Sequence, residues 1–208
     1  MLAILAIVAS VNIKKAGVNM SNYRVLTVVS RPKDNRDVEN FKTTSRGELI
    51  NLNHFENNNE VLDYAVDHYR YLAKAGETFR VYMSVNKRSF SKTHNKLIHE
   101  LIDGNVNLTT IQSKVASIAA KPENAEEHQW LFDVDYDEDV LNNQFIPDLL
   151  EASGFTESDL DIYQTKSHYG VIVPHGFNTV DLLANYPEVE LKRDDLRYVG
   201  SFTRNDEN

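Results

Sequence analysis

The stretch Trp130-Leu131-Phe132-Asp133-Val134-Asp135-Tyr136-Asp137 gives the clearest prediction about the fold. Strand side chains alternate between two faces, so Phe132 and Val134 would enter a core while Asp133 and Asp135 point together on the other face. Two co-facing carboxylates repel each other unless a cation lies between them, and oxygen ligands suit Mg²⁺ or Mn²⁺. We therefore predict a strand that ends at a metal site handling phosphates. A strand that runs into an acidic, solvent-exposed turn is the alternative.

Other elements follow from hydrophobic periodicity and from Gly and Pro positions on both sides of this strand. Further strands are predicted at 23–29, 79–85, 161–165, 169–174 and near 189–191. Helices are predicted at 60–75, 91–102, 108–120, 145–153 and 179–185. This order predicts an α+β fold in which helices pack against a mainly antiparallel sheet.

Length and composition limit the protein class. The 208 residues fit one domain, which we place at 23–208, with residues 1–22 as an N-terminal extension. The chain has no cysteine, so disulfides and thiolate metal sites are excluded and a reducing, cytoplasmic setting is expected. The formal net charge of −9 argues against a protein that coats nucleic acid by charge alone.

The distribution of charge is uneven along the chain. All charged residues from Arg80 to Lys96 are basic, and all those from Glu123 to Asp161 are acidic. Such an acidic run is commonly solvated surface, so only the strand-borne pair Asp133 and Asp135 is singled out as a site.

The first ten residues are apolar but lack the basic leader of a secretory signal. They are shorter than the roughly 18–20 residues that span a bilayer, so no membrane association is expected. Because patterned sequence begins only at Tyr23, Met20 is a candidate alternative start. A peripheral membrane anchor is the competing interpretation of this segment.

Two further clusters of polar residues lie at predicted strand ends. The turn at 165–169 offers the Lys166 ammonium, the Ser167 hydroxyl, the His168 imidazole and backbone amides, which together suit a triphosphate. An ordinary polar hairpin turn is the alternative. Residues 192–195 follow the last predicted strand and offer a carboxylate that would complete a metal site.

Several segments together resemble a known family. They are Ser30-Arg-Pro-Lys-Asp-Asn35, Arg80-x-Tyr82-x-x-x-Asn86-x-Arg88-Ser89, Trp130-Leu-Phe-Asp-Val-Asp135, Thr165-Lys-Ser-His-Tyr-Gly-Val-Ile-Val-Pro174 and Val189-Glu-Leu-Lys-Arg-Asp194. Their order and spacing, from residue 23 onward, resemble uncharacterised phage-type proteins, which in turn resemble the archaeo-eukaryotic primase (primase-polymerase) superfamily. The resemblance implies an RRM-like primase-polymerase core and, for a phage protein, the host cytoplasm as its location.

The resemblance also implies roles for individual residues. Asp133, Asp135 and Asp194 would be the catalytic, metal-binding acids of a nucleotidyltransferase that uses Mg²⁺ or Mn²⁺. The nucleotide would contact Lys166, Ser167 and His168, and Arg80 and Arg88 would contact template or triphosphate. The implied partners are a nucleoside triphosphate and single-stranded or primed nucleic acid.

One departure from the family pattern concerns the hairpin. Related sequences place glycine where this chain has His168 and histidine where it has Gly170. Positions 168 and 170 can share a face, so His168 would reach the same phosphate by another path or be lost to catalysis. Two alternatives to the enzyme therefore stay open: a non-catalytic nucleotide- or nucleic-acid-binding phage accessory protein, such as an anti-defence protein, and a nuclease that uses the same carboxylates.

Overall fold

The chain forms two four-stranded antiparallel sheets with helices packed on them. This computed structural model describes residues 22–205, so nearly all of the expected N-terminal extension lies outside the described residues. Between residues 22 and 205 no helix has both the length and the apolar character needed to cross a membrane.

The first sheet has the strand order β2-β1-β3-β8. Its strands are β1 (Tyr23–Ser30), β2 (Thr44–Asn51), β3 (Thr78–Ser84) and β8 (Leu196–Thr203). Helix α1 (Asn58–Tyr69) covers one face, where its buried Val61 and Ala65 join a core with Leu26 and Val28 of β1. Because strand residues alternate, Thr27 and Val29 point to the opposite face.

The second sheet has the order β5-β6-β4-β7. Its strands are β4 (Trp130–Val134), β5 (Asp161–Gln164), β6 (Tyr169–Val173) and β7 (Val189–Lys192). One face packs on α5 (Val180–Asn185) and on α4, which comprises Glu138–Val140, a π-helical turn at Leu141–Phe145, and Ile146–Ser153. Phe132 and Val134 lie in this core, as predicted, and Asp133 therefore points away from the helices.

The chain forms two helices between β3 and β4, α2 (Phe90–Ile102) and α3 (Ile111–Ala119). Ala116 and Ala119 of α3 form a small buried cluster with Val25 of β1. Since Val25 and Thr27 share a face of β1, α3 covers part of the face that α1 leaves free.

The chain crosses between the sheets twice, and both crossings meet at a set of four residues, which we call the junction: Asn86, Arg88, Gln129 and Asp194. The Asn86 side chain donates to the Gln129 carbonyl at 3.2 Å and accepts from the Gln129 amide at 2.8 Å. Arg88 donates to both carboxylate oxygens of Asp194, at 3.0 and 2.6 Å. The junction therefore fastens the two sheets together where the chain passes between them.

The α+β class and the antiparallel pairing are confirmed, including the β5–β6 hairpin. The prediction of one sheet needs correction, because the strands divide into two sheets of four. Two strands, β2 and β8, were not predicted at all. The RRM-like primase-polymerase core remains a prediction.

Candidate functional site

A pocket of about 500 Å³ lies between the sheet faces that the helices leave free. Both sheets contribute charged side chains to it. The cationic members are Arg31, Lys33, Arg80, Lys166 and Lys192, and the acidic members are Asp133, Asp135 and Asp195. Its volume falls in the range of roughly 300–1,000 Å³ that is typical of sites for small ligands and cofactors.

The acidic edge of the pocket is built by β4 and β7. Asp133 of β4 pairs directly with Glu190 of β7, so the two carboxylates lie side by side on the pocket face. Asp195 follows β7 and lines the pocket. Lys192 lies among these acids, with its Nζ 2.7 Å from Asp133, 3.5 Å from Glu190 and 3.9 Å from Asp195.

The environment of Lys192 keeps it charged. Burial alone lowers the pKa of a lysine, but the hydrogen bond to Asp133 and the charges of Asp133, Glu190 and Asp195 outweigh it and raise the pKa of Lys192. The side chain is 24% exposed and lines the pocket, so the ammonium is reachable by a ligand. This edge therefore carries a permanent positive charge among its acids.

A cationic side of the pocket is organised by Asp34, which the sequence analysis did not single out. Its carboxylate accepts two hydrogen bonds from Arg80, at 2.7 and 2.6 Å, and one from Lys166 at 2.8 Å. These bonds, that from Arg80 first, hold the pKa of Asp34 well below its usual range although burial opposes the shift. Asp34 thus joins Arg80 of the first sheet to Lys166 of the second.

Arg31 and Lys33 extend this cationic side. Arg31 donates to the Tyr82 hydroxyl, and its guanidinium lies 5.4 Å from the centre of the Tyr82 ring. Lys33 is exposed and lines the pocket. Both side chains are therefore placed to attract an anionic ligand.

The β5–β6 turn reaches the pocket with Lys166 and Ser167, whereas its His168 contacts an acid. Ser167 lines the pocket beside Lys166. His168 instead places its Nδ1 2.9 Å from an oxygen of Asp135. The imidazole therefore contacts an acid of the pocket, whereas His168 itself is not among the residues that line it.

Gly170 stands at a position of the β5–β6 hairpin that has no room for a side chain. Gly170 pairs with both Asp133 and Tyr163, and a Cβ added to it would lie 2.3 Å from the Tyr163 ring. The Tyr163 ring also contacts Arg197, whose guanidinium lies 4.4 Å from the ring centre. Tyr163 thus fills the space that a side chain at position 170 would need.

The structure does not bring Asp194 or Arg88 to the pocket. Asp194 accepts both Arg88 bonds and a third from Asn86 at 3.1 Å, and the Arg88 side chain is only 2% exposed. The prediction of Asp194 as a metal ligand and of Arg88 as a nucleotide contact is therefore corrected to a buried ion pair. Asp195, one residue further along, lines the pocket instead.

A divalent ion was expected between the carboxylates. Their oxygen chemistry fits Mg²⁺ or Mn²⁺. However, within residues 22–205 no group of three or more His, Asp or Glu side chains is arranged to hold a metal, and the Lys192 ammonium lies against Asp133. The carboxylate oxygens are of the type that binds a divalent ion, whereas the Lys192 ammonium already contacts Asp133.

The structure brings the predicted residues Asp133, Asp135, Arg80, Lys166 and Ser167 to one pocket. Sequence reasoning offered the cluster 192–195 but chose Asp194 from it, and it did not single out Asp34, Tyr163 or Glu190. Glu190 had a signal, since it lies within a predicted strand and alternation would have placed it on one face with Lys192. No pattern in the sequence indicated that Asp34, about 130 residues from Lys166, would reach it.

No protein-family model, no curated protein and no solved structure matches this chain.

Proposed function

We propose that the protein binds a nucleoside triphosphate in the pocket between the sheets and transfers its nucleotidyl group to the 3′-hydroxyl of a nucleic acid, as a metal-dependent enzyme of primase-polymerase type. The triphosphate lies on the cationic side, against Arg31, Lys33 and Lys166. The acids available to Mg²⁺ or Mn²⁺ are Asp133, Asp135 and Asp195, which would have to approach one another and exchange the Lys192 contact of Asp133 for the ion. When bound, such ions activate the attacking hydroxyl and stabilise the leaving pyrophosphate.

The observation that supports this proposal is the presence of both charges in one pocket. Arg31 and Lys33, which follow β1, and Lys166 of the β5–β6 turn line the pocket together with Asp133 of β4 and with Asp195, which follows β7. Phosphoryl transfer depends on positioning and on electrostatic stabilisation of an anionic transition state, and this arrangement provides both charges next to each other.

A second candidate, a non-catalytic nucleotide-binding protein on the same fold, is favoured by one contact. The Lys192 Nζ lies 2.7 Å from Asp133, so the acid that would be the central metal ligand already has a cation. Such a protein binds the triphosphate without transferring it.

A primer-extension assay with Mn²⁺ and all nucleotides tests the proposal. We expect extension by the unaltered protein and its loss in the double variant Asp133→Asn/Asp135→Asn. The matched control is Glu138→Gln/Asp139→Asn, which removes two negative charges from exposed residues outside the pocket and should retain extension. Nucleotide binding is measured in parallel with a fluorescent triphosphate.

The possible results separate the candidates. Triphosphate binding without extension in any condition favours the non-catalytic protein. Shortened primers point to a nuclease. Extension that persists equally in both double variants, or the absence of any triphosphate binding, refutes the proposed enzyme.

A further inference from the structure

We propose that Lys192 is an internal counter-ion for Asp133 that allows the triphosphate to bind without a metal ion. This inference deepens the proposed function and rests on it, because the ligand is the same triphosphate in the same pocket. It assigns Lys192 as a positioning residue of the nucleotide-binding step, which is separate from the transfer step.

The position of Lys192 carries the first part of the inference. A triphosphate in this pocket brings several negative charges close to Asp133, which is a carboxylate 35% exposed on the pocket face. Such like charges repel each other unless a cation lies between them. The Lys192 Nζ, 2.7 Å from Asp133, is that cation.

The donor capacity of Lys192 carries the second part. An ammonium has three N–H donors, and the contact with Asp133 uses one. The contact with Glu190 is longer, at 3.5 Å. The contact with Asp195, at 3.9 Å, lies beyond ordinary hydrogen-bond distance. The ammonium can therefore keep Asp133 and donate to a phosphate oxygen at the same time.

The other cations of the pocket do not neutralise Asp133 by direct contact. Arg80 and Lys166 are both bound to Asp34, Arg31 is bound to Tyr82, and Lys33 is exposed. Among the residues that the structure describes, Lys192 is the pocket cation that contacts Asp133.

The test measures triphosphate affinity in EDTA and in Mn²⁺ for three proteins: the unaltered chain, Lys192→Met and Lys33→Met. We expect the unaltered chain to bind about equally in both conditions. Lys192→Met should lose about tenfold or more in EDTA, the effect of one charge-assisted hydrogen bond, and recover most of it in Mn²⁺, which supplies beside Asp133 the positive charge that the variant lacks. Lys33→Met removes the same charge from the same pocket, so its loss should be equal in both conditions.

Lys192→Arg, which keeps the charge, should bind as the unaltered chain does, and circular dichroism verifies that each variant is folded. The inference is overturned if the unaltered chain binds triphosphate only with Mn²⁺, or if Lys192→Met and Lys33→Met respond to Mn²⁺ in the same way. Either result leaves the nucleotidyl-transfer proposal standing. An absence of triphosphate binding by every protein in every condition overturns both.

Discussion

Replacing Asp194 by alanine should destabilise the protein strongly, although Asp194 does not line the pocket. The change leaves the guanidinium of Arg88, 2% exposed, without its carboxylate and removes three hydrogen bonds of 2.6–3.1 Å. Removing one partner of a buried ion pair costs about 3–5 kcal/mol of unfolding free energy because the remaining charge stays buried and uncompensated.

The neighbouring acid provides a matched control. Asp195 is 46% exposed and lies 3.9 Å from Lys192, so Asp195→Ala should cost less than about 1 kcal/mol. For a domain of roughly 150–250 residues, 1 kcal/mol corresponds to about 2–4 °C in Tm. We therefore expect Asp194→Ala to lower Tm by about 6–20 °C and Asp195→Ala by a few degrees at most.

Urea unfolding followed by circular dichroism gives the two free energies, and the extension assay gives the two activities. Asp195→Ala should reduce nucleotidyl transfer while it retains stability, and Asp194→Ala should do the reverse under conditions where it is still folded. Equal stabilities for the two variants, or a larger activity loss for a folded Asp194→Ala, would contradict the roles assigned to these adjacent acids.

Three further predictions concern stability. Gly170→Ala should cost about 1–3 kcal/mol by overpacking against Tyr163, and a double-mutant cycle should show most of that cost disappearing in a Tyr163→Ala background. Gly154→Ala, at a helix end with φ +75° and open space around it, should cost about 1 kcal/mol in either background, because the strain lies in the backbone. Because the pKa of Asp34 is depressed, its stabilising contribution is complete above its unfolded pKa of about 4 and is lost as the pH falls below that value. The difference in unfolding free energy between the unaltered protein and Asp34→Asn should therefore shrink below about pH 4 in an acid titration. A difference that grows there would contradict the assigned pKa direction.

The second sheet was more predictable than the first. Its central strand β4 has the alternation of Phe132 and Val134 against Asp133, and the apolar β6 is bounded by a polar turn. Strand β2 has no such pattern, because its buried position 48 is a glutamate. Glu48 is 5% exposed and is accommodated by donors from Tyr64 at 3.1 Å and Gln112 at 2.8 Å, which lie on helices that no local pattern connects to β2.

The third acid illustrates a different limit of sequence reasoning. Alternation fixes which face a residue takes only within a strand, and β7 ends at Lys192. Beyond it, the backbone of the crossing decides that Asp194 enters the junction and that Asp195 turns to the pocket. A choice between two adjacent aspartates therefore depended on contacts with Arg88, more than 100 residues away.

The segments that the sequence analysis singled out thus have two physical roles in this chain. Asp133 and Lys166 lie at the pocket, whereas Asn86, Arg88 and Asp194 lie at the junction between the sheets. Since the pocket is bounded by both sheets, its width depends on how the junction holds them. Pocket variants should therefore change ligand binding with little loss of stability, and junction variants should change both together. Measuring the two quantities on one set of variants distinguishes the roles, which the motifs alone cannot do.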